Sequence, residues 1–218
     1  HRDLHSFPTR RSSDLSKYKG CCGKIAVIGG CLEYTGAPYF SAISALRTGA
    51  DIVHVFCREE AAVPIKSYSP ELIVHPYFQP ECKAEDALKW LRGVHAVVVG
   101  PGLGRDDHVV CMTAEIIREA IALPLKIVFD ADGLWIVNNH LDLVRGKKNV
   151  VLTPNVVEYQ RLCHALGLPP TTNVEEVSRC LEGVTVLQKG ETDKISNGAV
   201  TVFSDERGSP RRCGGQGD

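Results

Sequence analysis

Hydrophobic residues fall into short β-branched runs, each closed by Gly, Asp or Pro: KIAVIGG (24–30), DIVHVFC (51–57), AVVVGPG (96–102), KIVFDADG (126–133), VVLTPN (150–155) and VTVLQKG (184–190). Continuous apolar runs of this length, rather than an alternating pattern, predict strands covered on both faces. Between them lie stretches with helical spacing: PYFSAISALRTGA, AEDALKWLR, DDHVVCMTAEIIREAIA, VEYQRLCHALG and VEEVSRCLEG. Strand and helix alternation of this kind predicts crossover connections and a three-layer α/β/α fold with a mostly parallel sheet. In DKISNGAVTVFS (193–204), Asn197-Gly198 separates two β-prone runs, the signal of a tight hairpin that adds an antiparallel edge.

Composition changes this picture little. With 218 residues, 44% hydrophobic and 23% charged, the chain can bury one large core. Neither an internal repeat nor a low-complexity linker divides it, so residues 17–218 are expected to form a single domain. Twenty-five Lys and Arg balance 26 Asp and Glu, for a formal charge of −1. That balance argues against nucleic acid or an anionic membrane as partner, and any anion site must be local. No apolar run approaches the roughly 20 residues of a spanning helix. Nine cysteines, an odd number without a C-x-x-C pair, suit a reducing compartment. Neither they nor the eight histidines show the spacing of a structural zinc site. The opening HRDLHSFPTRRSSDL is Arg- and Ser-rich without a periodic apolar face, and its Asp3 and Asp14 are foreign to transit peptides. Residues 1–16 are therefore expected to be a non-native or disordered leader.

The candidate chemistry sits where the strands end, the edge at which open parallel sheets collect ligands. GPGLGR (100–105) joins a strand to a helix opening at Asp106 or Asp107. Its G-x-G-x-G spacing, interrupted by Pro101, does not match the dinucleotide fingerprint, which leaves a tight turn or a backbone platform for a ligand. DADG (130–133) offers Asp130 and Asp132, two carboxylates that a strand would aim to one face and that suit Mg²⁺; Asp132 also suits a helix N-cap. In TPNVVEYQRL, Asn155 and Glu158 have capping-box spacing, the alternative being a Glu158 that holds a metal-bound water. Lys189 closes a strand where it can reach a phosphate. GSPRRCGGQGD (208–218) places Arg211 and Arg212 beside Gly214, Gly215 and Gly217 and ends on Asp218. A Gly-rich turn there can hold developing negative charge while Asp218 removes a proton from a substrate hydroxyl.

In this order VIGG, EYTGAPYFSAISAL, GPGLGR, FDADGL, LTPNVVEYQRL, VLQKG and RRCGGQGD resemble the ATP-dependent (S)-NAD(P)H-hydrate dehydratases of the ribokinase-like superfamily, from about Tyr18 to Asp218. The resemblance implies a repair reaction: the ring hydroxyl of hydrated NADH or NADPH is phosphorylated by ATP, and phosphate then leaves. It implies ATP and Mg²⁺ as cofactors, a small-molecule substrate, a cytoplasmic or mitochondrial location, and is compatible with a homo-oligomer. Carried over by position, Gly102, Gly104, Asn155, Val156, Val157, Glu158, Tyr159, Gln160 and Arg161 correspond to hydrate-binding segments. Lys189, Gly190, Glu191, Thr192 and Asp193 correspond to ATP-binding residues, as do Gly208, Ser209, Pro210, Arg211, Arg212, Cys213, Gly214, Gly215, Gln216 and Gly217. Asp218 corresponds to the catalytic aspartate, which also touches the hydrate, and Tyr34, Thr35 and Gly36 to a lining of the nicotinamide pocket. Asp130 and a water on Glu158 are the candidate metal ligands. Family members continue past the aspartate into the helix that completes the anion hole. The resemblance therefore implies a fold incomplete at its C-terminal side, poorly stable and weakly active or inactive by itself. The G-x-G-D chemistry is shared with ribokinase-like small-molecule kinases, one alternative; an inactive nucleotide-binding fragment is another.

Overall fold

The structure is a computed structural model and describes residues 18–205. Seven strands run parallel: β1 (Lys24–Ile28), β2 (Ile52–Cys57), β3 (Ile73–Pro76), β4 (Ala96–Val99), β5 (Lys126–Phe129), β6 (Val150–Leu152) and β7 (Thr185–Gln188). An antiparallel hairpin of β8 (Asp193–Ser196) and β9 (Thr201–Ser204) completes one nine-stranded sheet, in the order β3-β2-β1-β4-β5-β6-β7-β8-β9. The hairpin turns at Gly198, whose φ of 83° is open to glycine, as the Asn-Gly pair requires.

The chain winds outward from β1 to β3, then returns to the far side of β1 to lay down β4. The reversal opens a crevice between the carboxyl ends of β1 and β4. Seven helices complete the described chain: α1 (Gly36–Thr48), α2 (Glu59–Tyr68), α3 (Ala84–Leu91), α4 (Asp107–Ala120), α5 (Asp132–Asn139), α6 (Val156–Ala165) and α7 (Val174–Cys180). Alternate residues of the strands bury against opposite layers. Val97, Val99, Ile127, Phe129, Leu152 and Val186 join the core beneath α3 to α7. Val27, Val53 and Val55 join the smaller core beneath α1 and α2. That second layer covers β1 to β3, and Val128, Val151 and Leu187 on the same face are only half-buried.

Except for β2, which ends with its run at Cys57, the strands end two to four residues before the runs that predicted them, because the terminal Gly, Asp and Pro residues are spent in turns. Three elements went unread. β3 is an edge strand of four residues ending in Pro76, α2 contains Pro64, and α5 begins inside the run taken for a strand. Among the described residues no helix is long and apolar enough to cross a membrane.

Candidate active site

The floor of the crevice is main chain. Gly29, just after β1, lies so close to the Pro101 carbonyl that a Cβ would lie 2.1 Å from its oxygen. Gly100 has φ 118°, and a Cβ there would lie 1.9 Å from the Asp130 carbonyl oxygen and 2.2 Å from the Gly133 nitrogen. Gly30 N–H donates to the Gly102 carbonyl at 3.0 Å, drawing the turns after β1 and β4 together. Against Gly102 (φ 59°) lies Tyr34, whose Cβ and carbonyl oxygen would each be 2.8 Å from an added methyl. Thus the Tyr34–Gly36 segment and the GPGLGR turn form one surface, with Tyr34 exposed upon it. Beneath them burial pushes the Cys31 thiol above its ordinary pKa.

The DADG carboxylates diverge, contrary to the expectation that a strand would aim them together. β5 ends at Phe129; Ala131 takes φ 46°, a left-handed strain at a non-glycine residue, and the chain turns into α5. Asp130 is left almost fully buried, its Oδ1 accepting from Lys189 Nζ at 2.8 Å. Asp132 is not a helix cap either. It reaches back to the GPGLGR turn, accepting from Gly104 N–H and from Arg105 Nε, each at 3.0 Å. The Arg105 guanidinium also stands 5.6 Å from the centroid of the Trp135 ring. One carboxylate therefore ties the turn after β4 to the start of α5.

At the end of β6 both halves of the capping box form: Asn155 Oδ1 accepts from the Val157 and Glu158 amides, and Glu158 Oε2 accepts from Asn155 N–H at 2.8 Å. The end of β7 is joined to this turn by Lys189 N–H donating to the Pro154 carbonyl at 2.8 Å. Between the two lies a cavity of about 550 Å³, lined by Asn155, Val156, Val157, Glu158, Arg161, Lys189, Gly190 and Glu191. Val157 and Arg161 also line an adjoining cavity of about 520 Å³ with Trp135, Asn138, Gln160 and His164. Tyr159 does not face either space: its ring is buried in the core and its hydroxyl donates to the Thr172 carbonyl. Burial accordingly pushes its phenol well above the ordinary range. Asp193 begins β8, its Oδ1 accepting from Gly190 N–H, and so closes the turn that follows Lys189. Residues 208–218, including the candidate ATP-binding residues and Asp218, lie outside the described residues.

Arg105, Asp132 and Trp135 were not singled out as a group by the sequence. Arg105 and Asp132 stand 27 positions apart, and no spacing rule links a Gly-rich turn to the first residue of a helix on the next strand.

Residues 25–218 match the family model described as NAD(P)H-hydrate dehydratase. The chain belongs to that family. It is 59% identical over 204 residues to the ATP-dependent (S)-NAD(P)H-hydrate dehydratase of Entamoeba histolytica, covering 94% of this chain and 68% of that one. With the rat protein of the same name it shares 51% over 208 residues, covering 93% and 61%. The chain thus spans about two thirds or less of the relatives it matches. Among solved structures, a ribokinase-like superfamily protein of Enterococcus faecalis aligns with a TM-score of 0.78 at 23% identity, over 96% of this chain and 71% of that one. The ADP/ATP-dependent NAD(P)H-hydrate dehydratase of Bacillus subtilis, co-crystallised with ATP/Mg²⁺, aligns at 0.68 and 18%, over 94% and 71%. These likenesses give the chain the ribokinase-like fold.

Proposed function

We propose that the protein repairs NADH and NADPH hydrated on the nicotinamide ring, consuming ATP. One observation supports the reading: a single cavity at the carboxyl edge of the sheet is lined both by Asn155, Val156, Val157, Glu158 and Arg161, from the segment that the family resemblance assigns to the hydrate, and by Lys189, Gly190 and Glu191, from the segment that it assigns to ATP. The hydroxyl to be phosphorylated and the phosphate to be transferred would thus meet in one space.

In this reading Lys189 supplies a mobile cation for the phosphate chain. Asp130 keeps that ammonium in place until nucleotide arrives. Arg161 faces the same space and serves the substrate's own phosphates. Asp218 takes the proton of the ring hydroxyl as its oxygen bonds to the γ-phosphorus, and the bond from that phosphorus to the β-bridging oxygen breaks, releasing ADP. Main-chain N–H groups from Gly215 to Gly217 would hold the developing charge. Departure of phosphate with the former hydroxyl oxygen, and loss of a neighbouring ring proton, restores the reduced cofactor. Tyr34 and the GPGLGR surface, held by Asp132, pack against the nicotinamide end.

The oxygen donors present suit Mg²⁺ held mainly through water. Asp130 already has a cation at one oxygen, and Glu158 has one oxygen engaged in its cap. Those two residues would hold the ion, which supplies charge neutralisation to the triphosphate when bound. A cytoplasmic or mitochondrial compartment, where both reduced cofactors are held, suits this role.

Incubation with ATP and hydrated NADH tests the proposal. Absorbance of reduced nicotinamide should return only with ATP, and ATP and hydrate should each bind. Accumulation of a phosphorylated hydrate without return of the reduced cofactor would identify a kinase instead.

A further inference from the structure

Away from the ligand edge, at the amino ends of β1 and β2, two thiols and a carboxylate converge. Cys21 and Cys22 precede β1 in a turn that opens with Cys21 N–H donating to the Tyr18 carbonyl. Asp51 precedes β2, and its N–H donates to the Gly23 carbonyl at 2.9 Å. The Asp51 side chain reaches back under the turn, where Oδ2 accepts from Gly20 N–H at 2.8 Å and from Cys22 N–H at 2.9 Å. Gly20 and Gly23, at φ 101° and 132°, allow the backbone to wrap the carboxylate in this way. The two sulfurs stand 3.9 Å apart, and one ligand atom from each of Cys21, Cys22 and Asp51 lies within 4.8 Å of the others.

We propose that Cys21, Cys22 and Asp51 form a binding site for one thiophilic divalent cation of the Zn²⁺ or Cd²⁺ class, independent of the nucleotide chemistry at the opposite edge of the sheet. Metal-sulfur bonds of about 2.3 Å in a tetrahedron place the two sulfurs about 3.8 Å apart, so the thiol pair needs almost no movement to bind. Because no pair of ligand atoms is more than 4.8 Å apart, the carboxylate needs to close by no more than about 1 Å to meet the same ion at its own bond length of about 2.0–2.2 Å. Its two amide donors fix its direction as outer partners do in metal sites generally. Two thiolates exclude Mg²⁺ and Ca²⁺ as the preferred ion and favour soft or borderline metals. The aliphatic end of Lys24 lies against Gly20, beside the same turn. Three protein ligands leave a fourth position for water. No sequence spacing revealed the cluster, because its carboxylate is 29 positions from the nearer cysteine.

The test is a titration of the whole chain, reduced and stripped of metal, with Cd²⁺, followed by thiolate-to-cadmium absorbance and by the mass of the bound ion. One ion should bind in a saturating step and be displaced by Zn²⁺. The Cys21→Ser/Cys22→Ser variant should lose that step while keeping the parent's circular dichroism and melting temperature without metal. The Cys111→Ser/Cys213→Ser variant should retain it. Asp51→Asn should weaken binding by on the order of tenfold or more. Undiminished affinity in the Cys21→Ser/Cys22→Ser variant, or no saturating step in the parent, would overturn the site.

Discussion

The ion pair between Lys189 and Asp130 makes a demand that can be measured. Its partners are 2.8 Å apart, the Asp130 side chain is 7% exposed and that of Lys189 is 25% exposed. In Lys189→Met the apolar stem of the lysine is largely kept and the cation removed, so the change isolates the charge. Stranding a buried carboxylate costs about 3–5 kcal/mol when water is fully excluded. The partial exposure of Lys189 lets water reach the gap, and ~2–3 kcal/mol is the expected loss. For a chain of this size that lowers Tm by ~4–12 °C. Urea unfolding and a thermal melt read the same quantity independently. Because the cost comes from the stranded charge, adding Asp130→Asn to Lys189→Met should recover a large part of it, a coupling visible only in the double variant. ATP affinity should fall on the order of tenfold in Lys189→Met, the value of a hydrogen bond to a charged group. A loss below ~0.5 kcal/mol, or a double variant less stable than both singles, would refute the claim that this carboxylate depends on its lysine.

Three further outcomes follow from the geometry. Gly100→Ala drives a methyl into the main chain of Asp130 and Gly133 at a φ of 118°, and should cost more than ~4 kcal/mol or abolish folding, read by circular dichroism. Asp132→Ala frees Gly104 N–H and Arg105 together and should cost ~1–3 kcal/mol, weakening hydrate binding in calorimetry more than ATP binding. At the outer edge of the sheet, His75 is held down to about 4, first by burial and then by repulsion from His54 and Lys66; His54 is also lowered by burial and by Lys24. The unfolded chain therefore takes up protons first, so stability is complete above about pH 6.5 and falls as pH drops toward 4. His75→Phe should flatten the curve of urea midpoint against pH across that window.

Most of the sheet was readable because buried parallel strands need unbroken apolar runs and glycine-rich exits, and both are local. The hairpin was readable because Asn197-Gly198 fixes its own turn. β3 escaped because an edge strand of four residues ending in proline carries too little apolar signal, and α2 because Pro64 sits inside it. Asp132 was misread for a different reason. The strand model held its side to the sheet's period, yet the chain turns at the strained Ala131 one residue earlier. The capping box of Asn155 and Glu158 was legible as a spacing of three, whereas the pairing of Lys189 with Asp130 spans 59 positions and exists only once β5 and β7 are in one sheet. Tyr159 shows the opposite failure. It lies inside a segment that faces the cavity, but helical periodicity turns its ring to the core.

The glycines at 29, 100 and 133 let three loops touch through peptide units alone. A surface made of amides offers the same donors and acceptors whatever side chains drift past it, and cannot be retuned by exchanging one. Any divergence in ligand preference among members sharing this architecture must accordingly be written on the walls, at positions such as Tyr34, Arg105 and Arg161, while the base stays constant.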